Sequence, residues 1–340
     1  MSTALLTPRR SLDQLSIVVP VLNEERNIEP LTERIDRTCA QLAHSYELIL
    51  VDDGSTDGTA QRVAALRERY PQLKLVRFSR NFGHQAALTA GMDVASGDAV
   101  VVMDADLQHP PEVLGQLVAR WMEGYDVVYT VRQDTEDASL KKRATSWIFY
   151  KVFRVLSSID MPANSADFRL IDRKVADAFR SLRERTRFLR GLTSWVGYPS
   201  IGVPFRADAR LSGQAKYGFR RMLRLALDGV ISFSAAPLYA AIYAGLAISS
   251  LGFLYAVYVV YARFFTDNVV PGWASLVVFG AFVAGLQLTL MGMIGVYVGR
   301  IYEEVKQRPL YLVHSTLGFR EDQTQDQNIG TGNRSHHVTV

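Results

Sequence analysis

Two long segments of this chain carry no charged side chain, and they constrain what it can fold into more than any other feature. No Asp, Glu, Lys or Arg occurs from Gly229 to Ala262, and none occurs from Asn268 to Gly299. A helix needs about 20 predominantly apolar residues to span a bilayer, so each segment is long enough. The sequence therefore predicts a two-helix transmembrane hairpin, with helices at about 235–262 and 272–299, and argues against a purely soluble protein.

The residues around these segments predict their orientation. Basic residues outside the two ends far outnumber Arg263 in the short loop between them, so the positive-inside rule puts both termini in the cytoplasm. Residues 1–15 lack the apolar core of a signal peptide. Segment 213–232 mixes basic and apolar residues, which predicts an amphipathic segment at the membrane surface. Residues 301–340 are predicted to be a cytoplasmic C-terminal segment with a disordered tail from about Glu321.

Composition excludes some functions and leaves others open. The net charge of +4, from 38 basic and 34 acidic residues, is too small to indicate a nucleic-acid partner. Cys39 is the single cysteine, so no intrachain disulfide can form. Glycines within the apolar segments permit close helix contacts in one chain or in a dimer or tetramer, although ordinary membrane-helix composition explains them equally well.

Residues 1–212 alternate between strand and helix signals. Strands are predicted at 15–20, 47–51, 73–78, 98–103 and 127–131, and helices at 27–43, 56–70, 84–95 and 110–123. Repeated strand–helix units predict an α/β domain with a mostly parallel, Rossmann-like sheet. In such sheets a ligand sits at the carboxyl ends of the strands, so the loops there are the candidate site.

Four successive strands are followed by polar loops, at Val21–Arg26, Asp52–Gly58, Ser79–Gly83 and Asp104–Pro111. Any one of these loops is explained by turn and cap residues alone. Four of them at one edge of a sheet favour a ligand site.

The loop residues also indicate which chemistry such a site performs. Asp104 and Asp106 point to the same side of an extended chain, and paired carboxylates suit a divalent cation that also binds phosphate; helix capping would explain only one of them. Asp52 and Asp53 could accept hydrogen bonds from a base or a ribose, and Arg80 could pair with a diphosphate. The chain lacks the glycine-rich dinucleotide and P-loop motifs, so those two classes are excluded.

These motifs together resemble a known family. Ser16–Glu25, Val51–Thr59, Ser79–Gly83 and Asp104–Gln108 resemble family 2 glycosyltransferases, which have the nucleotide-sugar-binding GT-A fold. Ser165–Leu170, Arg187–Gly191, Gly213–Tyr217 and Gly299–Pro309 resemble the polyprenyl-phosphate glycosyltransferases, which include bactoprenol glucosyltransferases and dolichol-phosphate mannose synthases. The resemblance covers roughly residues 15–312. One departure is Ala215, which stands where the family pattern has a serine, while the basic Lys216 is kept.

The resemblance implies a role for individual residues. Around the nucleotide base and ribose it implies Pro20, Asn23, Glu24, Asp52 and Asp53. Near the diphosphate it implies Arg80, with Mg²⁺ or Mn²⁺ held by Asp104 and Asp106 and with Gln108 close by. For the acceptor phosphate it implies Arg206, Arg210 and Lys216, although basic residues beside a membrane segment also serve simply as anchors.

The implied activity is the inverting transfer of a hexose to undecaprenyl phosphate at the bacterial cytoplasmic (inner) membrane, for envelope glycan modification. UDP-glucose is the favoured donor, and GDP-mannose, UDP-N-acetylglucosamine and UDP-aminoarabinose types stay open. A processive polysaccharide synthase is disfavoured, because the chain has no Gln-x-x-Arg-Trp motif and only two predicted spans. A non-catalytic membrane scaffold is disfavoured by the intact set of carboxylates.

Asp167 is the candidate catalytic carboxylate implied by the resemblance, and the structural alternative is an ion pair with Arg169 or Arg173. A phosphate monoester has a second pKa of about 6, so the acceptor is largely dianionic at neutral pH. Asp167 could therefore orient the acceptor or a basic residue rather than remove a proton. If it does act as a base, the Asp167→Asn variant should lose most turnover below about pH 6.

Overall fold

A computed structural model describes residues 6–43, 45–133, 165–185, 187, 189–206, 236–265 and 272–319. The strands are β1 Gln14–Val21, β2 Ser45–Asp52, β3 Leu73–Phe78, β4 Ala99–Val102, β5 Val127–Arg132, β6 Ser165–Asp172, β7 Ser200–Phe205 and β8 Val313–Leu317. The helices are α1 Glu25–Cys39, α2 Thr59–Leu66, α3 His84–Val94, α4 Leu114–Met122, α5 Arg173–Ser181, α6 Leu189–Trp195, α7 Ala236–Phe265 and α8 Trp273–Val305, with a 3₁₀ turn at Pro111–Val113 before α4.

The eight described strands form one sheet in the order β7-β5-β6-β4-β1-β2-β3-β8. Strand β6 runs antiparallel to β4 and β5, β8 runs antiparallel to β3, and the other neighbours are parallel. The predicted mostly parallel α/β sheet is therefore confirmed. One consequence for function is that six strands end at the same edge, which we call the carboxyl edge.

Burial explains why the central strands form. All four residues of β4 are buried, and β1 and β2 are buried along most of their length, as expected where helices cover both faces of a parallel sheet. The apolar side of α1 packs Ile28, Leu31 and Ile35 into this core without measurable exposure. The core thus supports a rigid carboxyl edge.

The five predicted strands and four predicted helices all occur, with ends that shift by a few residues. The second helix is the most shortened, because it covers 59–66 instead of 56–70. Strands β7 and β8 were not predicted from the sequence. Both are edge strands, β7 contains Gly202 and Pro204, and β8 is a short Val-His-Ser-Thr-Leu segment, so neither carries the apolar signal of a central strand.

The sequence predicts a C-terminal segment at residues 301–340 that is separate from the α/β domain, but residues 313–317 form strand β8 of the sheet. Just before it, the Tyr311 ring stacks on Phe78 with centroids 5.0 Å apart, and its hydroxyl donates to Asp93 over 2.8 Å. The chain beyond the apolar helices is therefore part of the α/β unit. The predicted disordered tail from Glu321 lies outside the described residues.

Helices α7 and α8 form a separate unit. Ala241–Val259 and Phe282–Val305 are long and apolar enough to cross a membrane, by length and composition. These helices overlap the predicted spans, and the crossing itself stays a prediction. The predicted interfacial segment 213–232 lies outside the described residues.

Candidate functional site

The polar loops predicted to form the site all lie at the carboxyl edge, because each follows a parallel strand. The loops after β1 and β2 are joined directly. The Asn23 backbone N–H donates to the Ser55 hydroxyl over 2.9 Å, and the Asn23 side-chain oxygen accepts from the Thr56 N–H over 2.9 Å. Asn23 adopts a left-handed φ of 57°, a conformation that asparagine tolerates better than most residues. These bonds hold the two loops in one fixed arrangement.

The loops after β2 and β3 are joined by Asp53. Its carboxylate accepts from the backbone N–H groups of Phe82 and Gly83, at 2.6 Å and 2.9 Å. Burial raises the pKa of Asp53, although these two donors work in the opposite direction. Gly54 brings the same loops into contact, since its φ is 80° and a Cβ there would lie 2.7 Å from the Arg80 carbonyl carbon.

The other predicted nucleotide residues lie in or beside this loop cluster. Asp52 is fully buried, accepts from the Ser55 N–H over 2.8 Å and lies 3.3 Å from the Arg77 guanidinium. The Glu24 backbone N–H donates to the Thr59 hydroxyl over 3.0 Å. Pro20 is a buried residue of β1 and contributes to the wall of the sheet. Arg80 is exposed and lies over the Phe82 ring, 4.0 Å from its centroid.

The loop after β4 alternates between buried and half-buried residues. Ala105, Leu107 and His109 are buried, whereas Asp104, Asp106 and Gln108 are half-buried. Asp104 and Asp106 are thus the partly accessible carboxylates of this loop. The Gln108 backbone N–H donates to Asp106 over 3.1 Å, which keeps that carboxylate close to the turn.

Two histidines flank Asp104. The Asp104 backbone N–H donates to Nδ1 of His109 over 3.1 Å, and the His84 Nε2 lies 3.7 Å from an Asp104 carboxylate oxygen. Burial lowers the pKa of His109, although the negative charges of Asp104, Asp106 and Asp167 act to raise it. His109 also stacks on Phe168, with centroids 5.2 Å apart. The buried His109 thus holds the Asp104 backbone in place, whereas the exposed His84 lies beside the Asp104 carboxylate.

Asp167 lies near the start of β6, and because β6 is antiparallel, that start is at the carboxyl edge. Its two carboxylate oxygens accept from Nε and Nη2 of Arg190, at 2.7 Å and 2.8 Å. Arg169 lies 3.8 Å away, whereas Arg173 donates to the Ala95 carbonyl. The alternative of an ion pair with Arg169 is therefore present at 3.8 Å, Arg173 bonds elsewhere, and the shorter, two-bond partner is Arg190 from a different element.

This pairing sets the charge of Asp167. Burial alone would raise its pKa, but the Arg190 guanidinium overrides that effect and holds the pKa of the carboxyl well below its usual range. Arg169 and His84 act in the same direction. Asp167 therefore stays ionised at any ordinary pH, and a carboxylate held in this way is a weak proton acceptor.

The predicted acceptor residues are only partly described. Arg206 follows β7 directly at the carboxyl edge and is exposed. Arg210 and Lys216 lie outside the described residues. Among the described residues, the carboxyl edge carries at least five carboxylates (Asp52, Asp53, Asp104, Asp106 and Asp167), together with histidines and arginines, a composition suited to phosphate chemistry.

Comparison with known proteins gives the affiliation of the chain. A family model described as "Glycosyl transferase family 2" matches residues 16–180. The chain is 45% identical over 320 residues to "Uncharacterized glycosyltransferase YkcC" of Bacillus subtilis (strain 168), covering 93% of this chain and 98% of that protein. The chain belongs to glycosyltransferase family 2. The predicted family and enzyme class are thereby confirmed.

Further relatives of this family 2 glycosyltransferase carry more specific names. It is 38% identical over 301 residues to "Bactoprenol glucosyl transferase" of Shigella phage SfII, covering 88% of this chain and 97% of that protein. Among solved structures, a mannosyltransferase from Pyrobaculum calidifontis in complex with GDP-Man and Mn²⁺ has a TM-score of 0.47 at 19% identity, covering 88% of this chain and 90% of that one. That structural likeness is too weak to transfer a metal or a nucleotide to this chain.

Several residues of the candidate site were not predicted from the sequence. His84, His109 and Arg190 each lie inside or next to a quoted motif, yet only the fold brings them to Asp104 or Asp167. Arg190 had one available signal, its position in the Arg187–Gly191 motif. The spacing of residues along one strand cannot reveal that Asp167 and Arg190, which are 23 positions apart in different elements, form a pair.

The residues present fit a divalent cation. Asp104 and Asp106 are two half-buried carboxylates of one loop, and hard cations prefer such oxygen ligands. In the part of the chain that the structure describes, no cluster of three or more acidic, histidine or cysteine side chains forms a closed metal site. An open two-carboxylate arrangement suits a cation that shares its remaining positions with water and a substrate diphosphate.

Proposed function

We propose that this family 2 glycosyltransferase transfers a hexose, with inversion, from a nucleotide diphosphate sugar to a polyprenyl phosphate, and that UDP-glucose and undecaprenyl phosphate are its donor and acceptor. The proposal draws on the name of its phage relative, "Bactoprenol glucosyl transferase". Similarity to this relative and the chemistry of the site support the proposed donor and acceptor.

One observation of the fold carries the proposal. Asp104 after β4 and Asp167 at the start of β6 lie at the carboxyl edge, in the same chain as two helices long and apolar enough to cross a membrane. An acceptor with an isoprenoid tail is confined to a membrane, with its phosphate at the interface. A glycosyltransferase domain that shares its chain with two such helices is suited to this acceptor.

The proposed division of labour follows the loops. The loop cluster around Asn23, Asp52 and Asp53 holds the nucleotide, with Glu24 and Pro20 beside it and Arg80 near the diphosphate. Asp104 and Asp106 would hold Mg²⁺ or Mn²⁺, with Gln108 close by. When bound, the cation supplies charge neutralisation for the departing diphosphate.

The reaction itself needs little proton transfer. An oxygen of the acceptor phosphate forms the new bond to the anomeric carbon, from the face opposite the diphosphate, which departs with the electron pair of the broken bond. Because the second pKa of a phosphate monoester is about 6, this oxygen is already charged at neutral pH. Asp167 is therefore better suited to holding a cationic side chain than to removing a proton.

The decisive experiment incubates the full-length protein in membranes with radiolabelled nucleotide sugars and undecaprenyl phosphate, followed by lipid extraction. The panel contains UDP-glucose, UDP-N-acetylglucosamine, GDP-mannose and a UDP-aminoarabinose. We expect label in the lipid phase with UDP-glucose. Label in a water-soluble polymer would favour a processive synthase, and no transfer with any donor would favour a scaffold.

We also propose that α7 and α8 cross the cytoplasmic membrane with the α/β unit on the cytoplasmic side. An Asn268→Cys variant should react with an impermeant maleimide in intact cells. The native Cys39 adds little background, because it is buried and burial raises its pKa to about 12. Labelling only after lysis would overturn this topology.

A further inference from the structure

Asp167 and Arg190 form a two-bond ion pair that fixes the orientation of the Arg190 guanidinium. Nε and Nη2 of Arg190 meet the two carboxylate oxygens side by side, at 2.7 Å and 2.8 Å. The Asp167 side chain is 19% exposed, while that of Arg190 is 32% exposed. The carboxylate is thus largely enclosed, and the arginine keeps an accessible part at the carboxyl edge.

The backbone that carries Arg190 is also held firmly. Before it, the Leu189 N–H donates to the Gln85 side chain over 3.1 Å, which ties α6 to the start of α3. After it, the Thr193 hydroxyl donates to the Arg190 carbonyl over 2.8 Å and accepts from Arg169 over 2.6 Å. Both the main chain and the side chain of Arg190 are therefore fixed independently of any ligand.

The position of the pair in the sheet indicates which substrate it faces. The proposed nucleotide loops follow β1, β2 and β3, and the Asp104 loop follows β4. Strand β6, which carries Asp167, is the neighbour of β4 on the opposite side from β1. A donor that extends from the nucleotide loops to Asp104 would therefore bring its sugar toward Asp167 and Arg190, where an acceptor must approach.

We propose that Arg190 binds the phosphate group of the acceptor and that Asp167 is the positioning residue that orients its guanidinium. This inference rests on the proposed transfer to a phosphate acceptor. Asp167 occupies the Nε and Nη2 edge of the guanidinium, so the phosphate oxygens would accept from its Nη1 and Nη2 edge. A guanidinium whose orientation a carboxylate already fixes loses little freedom on binding. The Asp167 charge also offsets the positive charge of Arg190 while the acceptor is absent.

The test uses the full-length protein in lipid nanodiscs, with an Arg190→Gln variant, an Arg190→Lys variant and an Arg120→Gln control. Arg120 pairs with Glu123 on the exposed side of α4 and lies outside the site. Three quantities are measured: the affinity for UDP-glucose by calorimetry, the affinity for undecaprenyl phosphate without donor, and kcat and KM for transfer. An Asp167→Asn variant and the double variant complete a thermodynamic cycle.

For Arg190→Gln we expect acceptor affinity and kcat/KM for the acceptor to fall about 10- to 100-fold, which is the range that hydrogen bonds to charged groups contribute. The affinity for UDP-glucose should change less than about twofold. The Arg190→Lys variant should recover part of the loss, because it keeps the charge without the fork. Asp167→Asn should add little to Arg190→Gln if the two residues act as one unit.

Other outcomes overturn the inference in distinct ways. A loss of donor affinity with unchanged acceptor affinity would assign Arg190 to the donor diphosphate. An unchanged acceptor affinity in a folded Arg190→Gln protein that still transfers sugar would remove Arg190 from the site but leave the proposed function intact. Conversely, Arg190-dependent binding of the phosphate lipid without any sugar transfer would support Arg190 as the phosphate-binding residue and overturn the proposed function. A wild-type protein that neither binds the lipid nor transfers sugar would overturn both.

Discussion

The two halves of the site hold their carboxylates in different ways. In the half formed by the loops after β1, β2 and β3, Asp52 accepts a hydrogen bond from a backbone N–H of its own loop, and Asp53 accepts one from a backbone N–H of the loop after β3. In the half formed by β4, β6 and α6, Asp167 is bound by a side chain from a distant element. The first half is built from the chain path itself, whereas the second depends on particular arginines. Substitutions should therefore affect binding of the nucleotide in the first half and use of the acceptor in the second.

The largest expected effect lies at the junction of the two halves. We expect Asp106→Asn to lower transfer by about 10³-fold, since charge neutralisation by a metal contributes several kcal/mol and each 1.36 kcal/mol is a factor of ten. EDTA should abolish transfer, and Mg²⁺ or Mn²⁺ should restore it. The measurement is lipid-linked product formed per minute, with Asp177→Asn on the exposed side of α5 as the control. Full activity in chelator would exclude the metal.

The next effect tests the acceptor half. Asp167→Asn should lower turnover by about 10- to 100-fold, the range for the loss of hydrogen bonds to a charged group, while donor affinity stays nearly constant. The structure sharpens the pH dependence. Because Arg190 holds the Asp167 pKa well below its usual range, the carboxylate is ionised in the folded protein at every working pH. A positioning role therefore gives a constant ratio of wild-type to variant rates on both sides of the acceptor pKa of about 6.

The measurement is turnover at saturating donor from about pH 5 to 8, a window that brackets the acceptor pKa. A defect that grows as the pH falls below about 6 would instead support a general base that acts on the phosphate monoanion. A defect in folding, seen as a lowered melting temperature in both variants of the Asp167–Arg190 pair, would support a structural ion pair.

A smaller effect tests whether backbone contacts determine the shape of the loops that are proposed to bind the nucleotide. Gly54→Ala should destabilise the protein by about 1–3 kcal/mol, because its φ of 80° and the close Arg80 main chain leave no room for a Cβ. Donor affinity should fall with it. The matched control is Gly115→Ala in α4, where a Cβ would meet Leu42 at an ordinary 3.6 Å and should stabilise the helix by about 0.5–1 kcal/mol. Thermal unfolding and calorimetry with UDP-glucose measure both; equal effects at the two glycines would contradict the prediction.

The smallest effect is expected outside both halves. Tyr311→Phe removes the hydrogen bond to the Asp93 carboxylate and keeps the ring on Phe78. Since Arg183 still pairs with Asp93, it should cost about 1.5 kcal/mol of stability, the lower end for a hydrogen bond to a charged group. The kinetic constants should stay within about twofold, since neither Tyr311 nor Asp93 belongs to the proposed donor or acceptor residues. A selective loss of donor affinity would mean that the segment before β8 supports the nearby loop after β3, where the Ser79 N–H donates to Leu312.

Much of this protein is determined locally and is therefore visible in the sequence. Runs such as Ala99–Val102 can only be stable where helices cover both faces, so they specify central parallel strands. The polar loops after β1, β2, β3 and β4 lie at one edge of the sheet because these strands are parallel. The uncharged segments likewise determine two long apolar helices, since length and composition are sufficient.

Only the tertiary structure decided the rest, because it depends on contacts between residues far apart in the chain. Edge strands β7 and β8 gain much of their stability from the sheet they join, so their own sequences give a weak signal. The sequence suggested the weaker partner of Asp167, Arg169, but not the two-bond partner Arg190, which lies in α6 and is brought there by contacts between distant elements such as the Leu189–Gln85 hydrogen bond. The charge of Asp167, and with it the choice between proton acceptor and positioning residue, follows from that packing.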